Sequence, residues 1–155
     1  MNDSIALLND RLKIVELINQ FGMSIDLRDW TKFRSLFAES VEFDYSSIGE
    51  VAGVLQPAEI ASTAQQDLGG FQATQHMITN HIVEFLEDSA TSYAHVRAQH
   101  FLPNDRFDSM LQIGGYYHAR LIPVDSNWKI KGWKFTILWS VGNLELFDLA
   151  KQVNN

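Results

Sequence analysis

An acid, a phenol and two imidazoles each stand inside an otherwise apolar run of this chain. Asp26 lies in Ser24-Ile25-Asp26-Leu27, Tyr45 in Phe43-Asp44-Tyr45, His76 in Thr74-Gln75-His76-Met77 and His100 in Gln99-His100-Phe101. A buried polar group costs free energy unless it finds a partner, so these groups are candidate partners for one another. A carboxylate bonded to one imidazole nitrogen fixes the tautomer and leaves the other nitrogen to take a proton, while a phenol donates to an oxygen that is gaining charge. Converged in a dry pocket, the set is equipment for acid–base chemistry.

Each residue also has a plainer reading. Asp26 falls near the end of the first helix, where a negative charge gains nothing from the macrodipole. It is either a surface acid beside Arg28 or Lys32, or it is held by a specific partner. His76 and His100, each taken alone, read as hydrogen-bonded structural residues. Hairpin arithmetic links them. Both lie about a dozen positions from Asp88 in the turn Glu87-Asp88-Ser89, so facing imidazoles are expected to within one or two register steps. His81 and His95 sit at odd offsets and read as structural or exposed. His118 shares a face with Tyr116 and Arg120, which is either solvated or a third wall of the pocket.

The elements that must position these groups are legible from periodicity. Ile5, Leu8, Leu12, Val15 and Ile18, widened by Leu7, Ile14, Leu17 and Phe21, predict a long helix to about Leu27, buried on much of its surface. Asp29 is an N-cap for a short second helix presenting Trp30, Phe33 and Phe37, and Gln56-Pro57 to Gly69-Gly70 brackets a third. After Gly70 the period becomes two. Strands are expected over 74–86, 91–102, 110–124 and 128–141, preceded by short ones near 41–45 and 51–54. The result is one α+β domain over residues 1–155, with helices packed on a strongly curved mixed or antiparallel sheet. Gly114-Gly115 predicts a bulge or bend. A hollow between helix and sheet is a natural ligand site.

Composition narrows the function classes. With 155 residues, 46% hydrophobic and 20% charged, the chain is an ordinary globule. A net charge of -7 argues against nucleic acid or an anionic membrane as partner. The absence of Cys excludes disulfides and thiolate metal sites, and no His spacing suggests a metal site on a helix. The expectation is a cytoplasmic protein with no cofactor and no metal. Its partners would be a small hydrophobic molecule and further copies of itself, as dimer or trimer. Self-association follows from an uncovered outer sheet face on which Tyr93, Phe101 and Tyr117 are expected.

Ile25-Asp26-Leu27-Arg28-Asp29-Trp30, Phe43-Asp44-Tyr45, Thr74-Gln75-His76, Gln99-His100 and Trp128-Lys129-Ile130 occur in an order that resembles the SnoaL-like branch of the nuclear transport factor two-like superfamily. Within that branch the resemblance is nearest to the scytalone dehydratases. It implies a cone-shaped α+β barrel and a cofactor-independent lyase that eliminates water. His76 would act as base, Asp26 as its orienter, Tyr45 as donor to the carbonyl oxygen and His100 at the leaving hydroxyl. Ile25, Trp30, His118 and Arg120 become the substrate-contact residues. Two departures from the pattern stand out: Ile25 stands where a second phenol is expected, and His118 and Arg120 where Ser and Asn are. A binding module without turnover, an isomerase and a dioxygenase β-subunit are the alternatives on the same fold.

Overall fold

The computed structural model describes residues 2–106 and 108–153. Helix α1 (Asn2–Asp26) leads into α2 (Trp30–Ser35), β1 (Phe37–Asp44), a single 3-10 turn (Ser46–Ile48), β2 (Ala52–Leu55) and α3 (Pro57–Leu68). Then come β3 (Ala73–Phe85), β4 (Ala90–Phe101), β5 (Met110–Val124), β6 (Asn127–Gly142) and a closing helix α4 (Leu146–Val153). The strands form a six-stranded, curved and unclosed sheet in the order β2-β1-β6-β5-β4-β3. β1 runs parallel to β6, and every other pairing is antiparallel. None of the helices described is long and apolar enough to cross a membrane.

The core lies between α1 and the concave face of the sheet. Phe21 of α1 stacks on Trp133 of β6 at 4.0 Å between centroids and meets Phe33 at 5.1 Å and Tyr117 at 5.4 Å. Burial along α1 begins only at Ile14; Ile5, Leu8 and Leu12 are 64, 58 and 61% exposed. From these exposed turns Arg11 reaches over the Phe85 ring at 5.7 Å and Lys13 Nζ donates to Ser126 O at 3.4 Å. The helix is therefore buried over its C-terminal half and not along its whole length. Phe37 opens β1 instead of extending α2, but its ring still packs on Phe33 at 5.2 Å.

Two local devices set the geometry of the site. The first is the end of α1. Asp29 N donates to Ser24 O and Arg28 N to Ile25 O, the paired bonds of a Schellman motif, with Arg28 at φ 59° where glycine is usual. The arginine side chain holds this conformation. Its NH1 donates to Ile25 O and Thr74 Oγ1, and its NH2 to Phe71 O. The helix terminus carrying Asp26 is thereby tied to the start of β3.

The second device is a bulge in β3. Between the pairs Thr79↔His95 and Ile82↔Tyr93, β3 advances three residues while β4 advances two. Asn80, at φ 58°, accommodates the extra residue, since Asn tolerates the left-handed region better than most side chains. Another irregularity falls between Gly114 and Gly115, where the sequence predicts one. Gly114 pairs with Trp139 and Gly115 with Ile137, leaving Leu138 as the additional residue on β6. A Cβ on Gly114 would lie 2.1 Å from the Trp139 indole, so only glycine lets that ring cross the strand.

Candidate active site

Asp26, His76, His100, Tyr45 and Ile25 come together around one cavity of about 530 Å³ between α1 and the sheet; Asp26 sits behind the His76 ring that forms part of its wall. Much of the remaining wall is apolar, supplied by residues such as Phe21, Phe43, Ile113, Phe135 and Phe147. Ala94, Val96 and Ala98 precede His100 on the inner face of β4, and their small side chains leave the space that the imidazoles enter.

Asp26 is fully engaged. Its Oδ1 lies 2.7 Å from His76 Nδ1 and accepts from Thr74 Oγ1 at 2.9 Å, and its Oδ2 accepts the His76 backbone N–H at 2.7 Å. The side chains are 13% exposed for Asp26 and 5% for His76, so the pair is nearly dry. Burial pushes the Asp26 carboxyl up, but the hydrogen bonds and charge of His76, with the Thr74 bond, outweigh it and hold the group below its ordinary value. An ionised carboxylate only accepts, so His76 Nδ1 carries a proton and Nε2 is the nitrogen left to accept one.

His76 pairs across the sheet with Ala98, and His100 with Thr74. The two-step offset keeps both rings on the concave face, 6.1 Å apart between centroids at 79°. Continuing the register of Ile82↔Tyr93 without the bulge would pair His76 with Gln99 and turn its ring to the outer face. His100 is 3% exposed, its Nδ1 has no hydrogen-bond partner, and Phe71 and Phe147 flank the ring. Burial first, then the charge of His76, pulls its pKa down to about 4, so His100 is neutral near pH 7.

Tyr45 packs parallel on Phe43 at 4.7 Å and accepts a hydrogen bond from Trp133 Nε1 at 3.3 Å. Burial pushes its phenol up to about 12.

Three expected wall residues are elsewhere. His118 and Arg120 lie on the opposite face of the sheet, where His118 stacks on Tyr93 at 4.2 Å and Arg120 pairs with Glu42 at 2.7 Å. Strand alternation is the reason. Tyr116, His118 and Arg120 point outward together, while Tyr117, Ala119 and Leu121 point inward and are buried. Trp30 packs edge-on against Phe33 and does not line the cavity. The same alternation corrects Tyr117, which is 4% exposed and faces the cavity, not the outer surface. Its signal was present in the sequence, because the residues sharing its face are apolar.

Helix α4 went unread in the sequence, although Leu146, Leu149, Ala150 and Val153 recur at helical spacing. It brings Phe147 and Lys151 to the cavity, and Lys151 Nζ reaches Asp67 of α3 at 3.1 Å and Glu50 at 4.0 Å. Among the described residues, no three His, Asp or Glu side chains form a metal-binding set.

Comparison with known proteins agrees with this architecture. Residues 6–134 match the SnoaL-like domain. The chain is 29% identical to scytalone dehydratase arp1 of Aspergillus fumigatus, over 92% of this chain and 91% of that protein. The Kfla4162 protein of Kribbella flavida superposes with a TM-score of 0.81 at 26% identity, over 87% of this chain and 95% of that one. The hexachlorocyclohexane dehydrochlorinase LinA-type3 of Novosphingobium barchaimii superposes with a TM-score of 0.77 at 17% identity, over 91% and 94%, a likeness of fold. The match over most of its length makes this chain a member of the SnoaL-like domain family.

Proposed function

We propose that this protein is a cofactor-independent lyase that eliminates water from a small hydrophobic ring activated by a carbonyl group. The observation carrying the proposal is the 2.7 Å bond from Asp26 to His76 Nδ1, which leaves Nε2 as the proton acceptor at an apolar cavity. The dehydratase name of the Aspergillus relative supports loss of water in particular.

His76 Nε2 removes the proton on the carbon next to the carbonyl, and the C–H electron pair becomes an enolate. Asp26 stabilises the imidazolium that forms. Tyr45 donates to the enolate oxygen. The enolate re-forms the carbonyl as the C–O bond to the hydroxyl on the adjacent carbon breaks. His100, neutral at its depressed pKa, donates a hydrogen bond to the departing oxygen, and the proton held by His76 completes the water. The products are an alkene and water, with no change in oxidation state overall.

Scytalone is the first substrate to try, with loss of water followed by the mass of the product. Wild-type protein should turn it over, and His76→Ala should lower the rate by about 10²–10⁴-fold with the fold retained. Equal rates in the two proteins would remove His76 from the chemistry. A ligand that raises the melting temperature and returns unaltered would make the cavity a binding site only.

A further inference from the structure

Behind the corner of the cavity formed by Tyr45 and Tyr117 lies the indole of Trp133, whose Nε1 donates to the Tyr45 oxygen at 3.3 Å. An indole N–H is a donor only, so this bond cannot reverse, and one lone pair of the Tyr45 oxygen is always taken. The Tyr117 ring is wedged against Trp133 at 4.5 Å and Phe135 at 5.4 Å, and the residue is 4% exposed, so its hydroxyl cannot turn to bulk water. Tyr45 and Tyr117 both line this corner, and both rings meet Phe135, at 5.5 and 5.4 Å. Burial has the larger effect on the Tyr45 pKa, and Tyr117 acting as a donor draws it down against that. A phenol oxygen has two acceptor positions and one proton. When Tyr117 donates into Tyr45 as Trp133 does, both acceptor positions of the Tyr45 oxygen are filled and its proton points to the cavity.

We propose that Tyr117 and Trp133 are positioning residues that commit the Tyr45 proton to an oxyanion, so that this corner selects planar ring substrates bearing an enolate or phenolate oxygen. The inference rests on the proton-abstraction reading and adds to it the substrate class and the group that stabilises the charge. As an enolate oxygen gains charge it draws on the Tyr45 proton, and the charge that moves onto the Tyr45 oxygen meets two fixed donors. Ile25 contributes only apolar surface from α1, and β5 supplies the second phenol instead.

The test is equilibrium binding of a nitronaphthol, whose neutral and ionised forms absorb at different wavelengths, with nitronaphthalene as an uncharged control. Bound to wild-type protein, the nitronaphthol should ionise at a lower pH than in water. Tyr117→Phe should move that ionisation back up and weaken binding of the naphtholate by about tenfold or more, because a hydrogen bond to a charged group is lost. Nitronaphthalene should bind both proteins equally. Trp133→Phe should act in the same direction and decides the matter if Tyr117→Phe does not fold. The proposal is overturned if wild-type protein binds naphthol and naphtholate equally. It is also overturned if Tyr117→Phe weakens both probes alike, which would be an effect of cavity shape. Failure to dehydrate any ring hydroxyketone, with the probe ionising as expected, would remove the lyase reading and leave this oxyanion corner standing.

Discussion

The imidazoles of His76 and His100 face one another at 6.1 Å although neither is the other's cross-strand partner. The bulge at Asn80 puts them there, by shifting the register of β3 by one residue between the turn and His76. Asn80→Gly should keep both rings in place, because glycine adopts a positive φ without strain. Asn80→Val should cost about 1–3 kcal/mol in urea unfolding, since a β-branched residue resists that backbone. Deleting Asn80 removes the extra residue itself, so Ile82↔Tyr93 and Thr79↔His95 become continuous and His76 should stay opposite Ala98 on the concave face.

Asp26→Asn tests the tautomer. The amide N–H₂ can donate to Nδ1, which moves the ring proton to Nε2 and removes the acceptor. Turnover should fall by about 10²–10⁴-fold. Nitrogen chemical shifts of the His76 ring should report the exchanged tautomer. A variant with wild-type turnover would show that the carboxylate orients nothing that matters to the reaction.

Gly22 lies where α1 crosses β3, and a Cβ there would come 2.8 Å from the Cβ of His76. Gly22→Ala should therefore push the helix and strand apart and lengthen the Asp26–His76 bond. The expected result is turnover reduced about tenfold or more, as misplacement on the ångström scale costs rate steeply. It should occur even though alanine is the better helix former. Thermal melting alongside turnover separates the two effects.

His100 makes stability depend on pH. Burial and the charge of His76 hold it down to about 4, against an ordinary value of 6.5. Between those values the unfolded chain takes up a proton that the folded chain refuses, so stability falls as pH drops from about 6.5 toward 4. The full contribution is about 3 kcal/mol. Urea midpoints across that range should fall more steeply for wild type than for His100→Gln. Parallel profiles would mean that the ring is not buried neutral.

Much of the fold was legible because each long strand is bounded by turn chemistry and the second and third helices start at caps. Asp29 and the Gln56-Pro57 step mark helix starts that the structure keeps, with Asp29 accepting from Lys32 N and Gln56 N donating to Glu59. The bulge at Asn80 was not legible, since nothing local distinguishes an asparagine in the left-handed region from one in regular strand. Counting from the turn still placed the histidines on one face, because its centre and the bulge each displaced the register by one and the parity survived. His118 and Arg120 were misplaced for a different reason. Their chemistry suggested a site, while their alternation with Tyr117, Ala119 and Leu121 already assigned them to the polar face.

Proton removal from carbon by His76 can be measured without knowing the leaving group. A ring ketone that fits the cavity, such as a tetralone, is incubated with the protein in deuterium oxide, and deuterium entering the carbon beside the carbonyl is followed by mass spectrometry. Wild-type protein should accelerate this exchange, with the rate lowered by about 10²–10⁴-fold in His76→Ala. Exchange no faster than in buffer, for a ketone shown to bind, would contradict the assignment of the Asp26–His76 pair as a base.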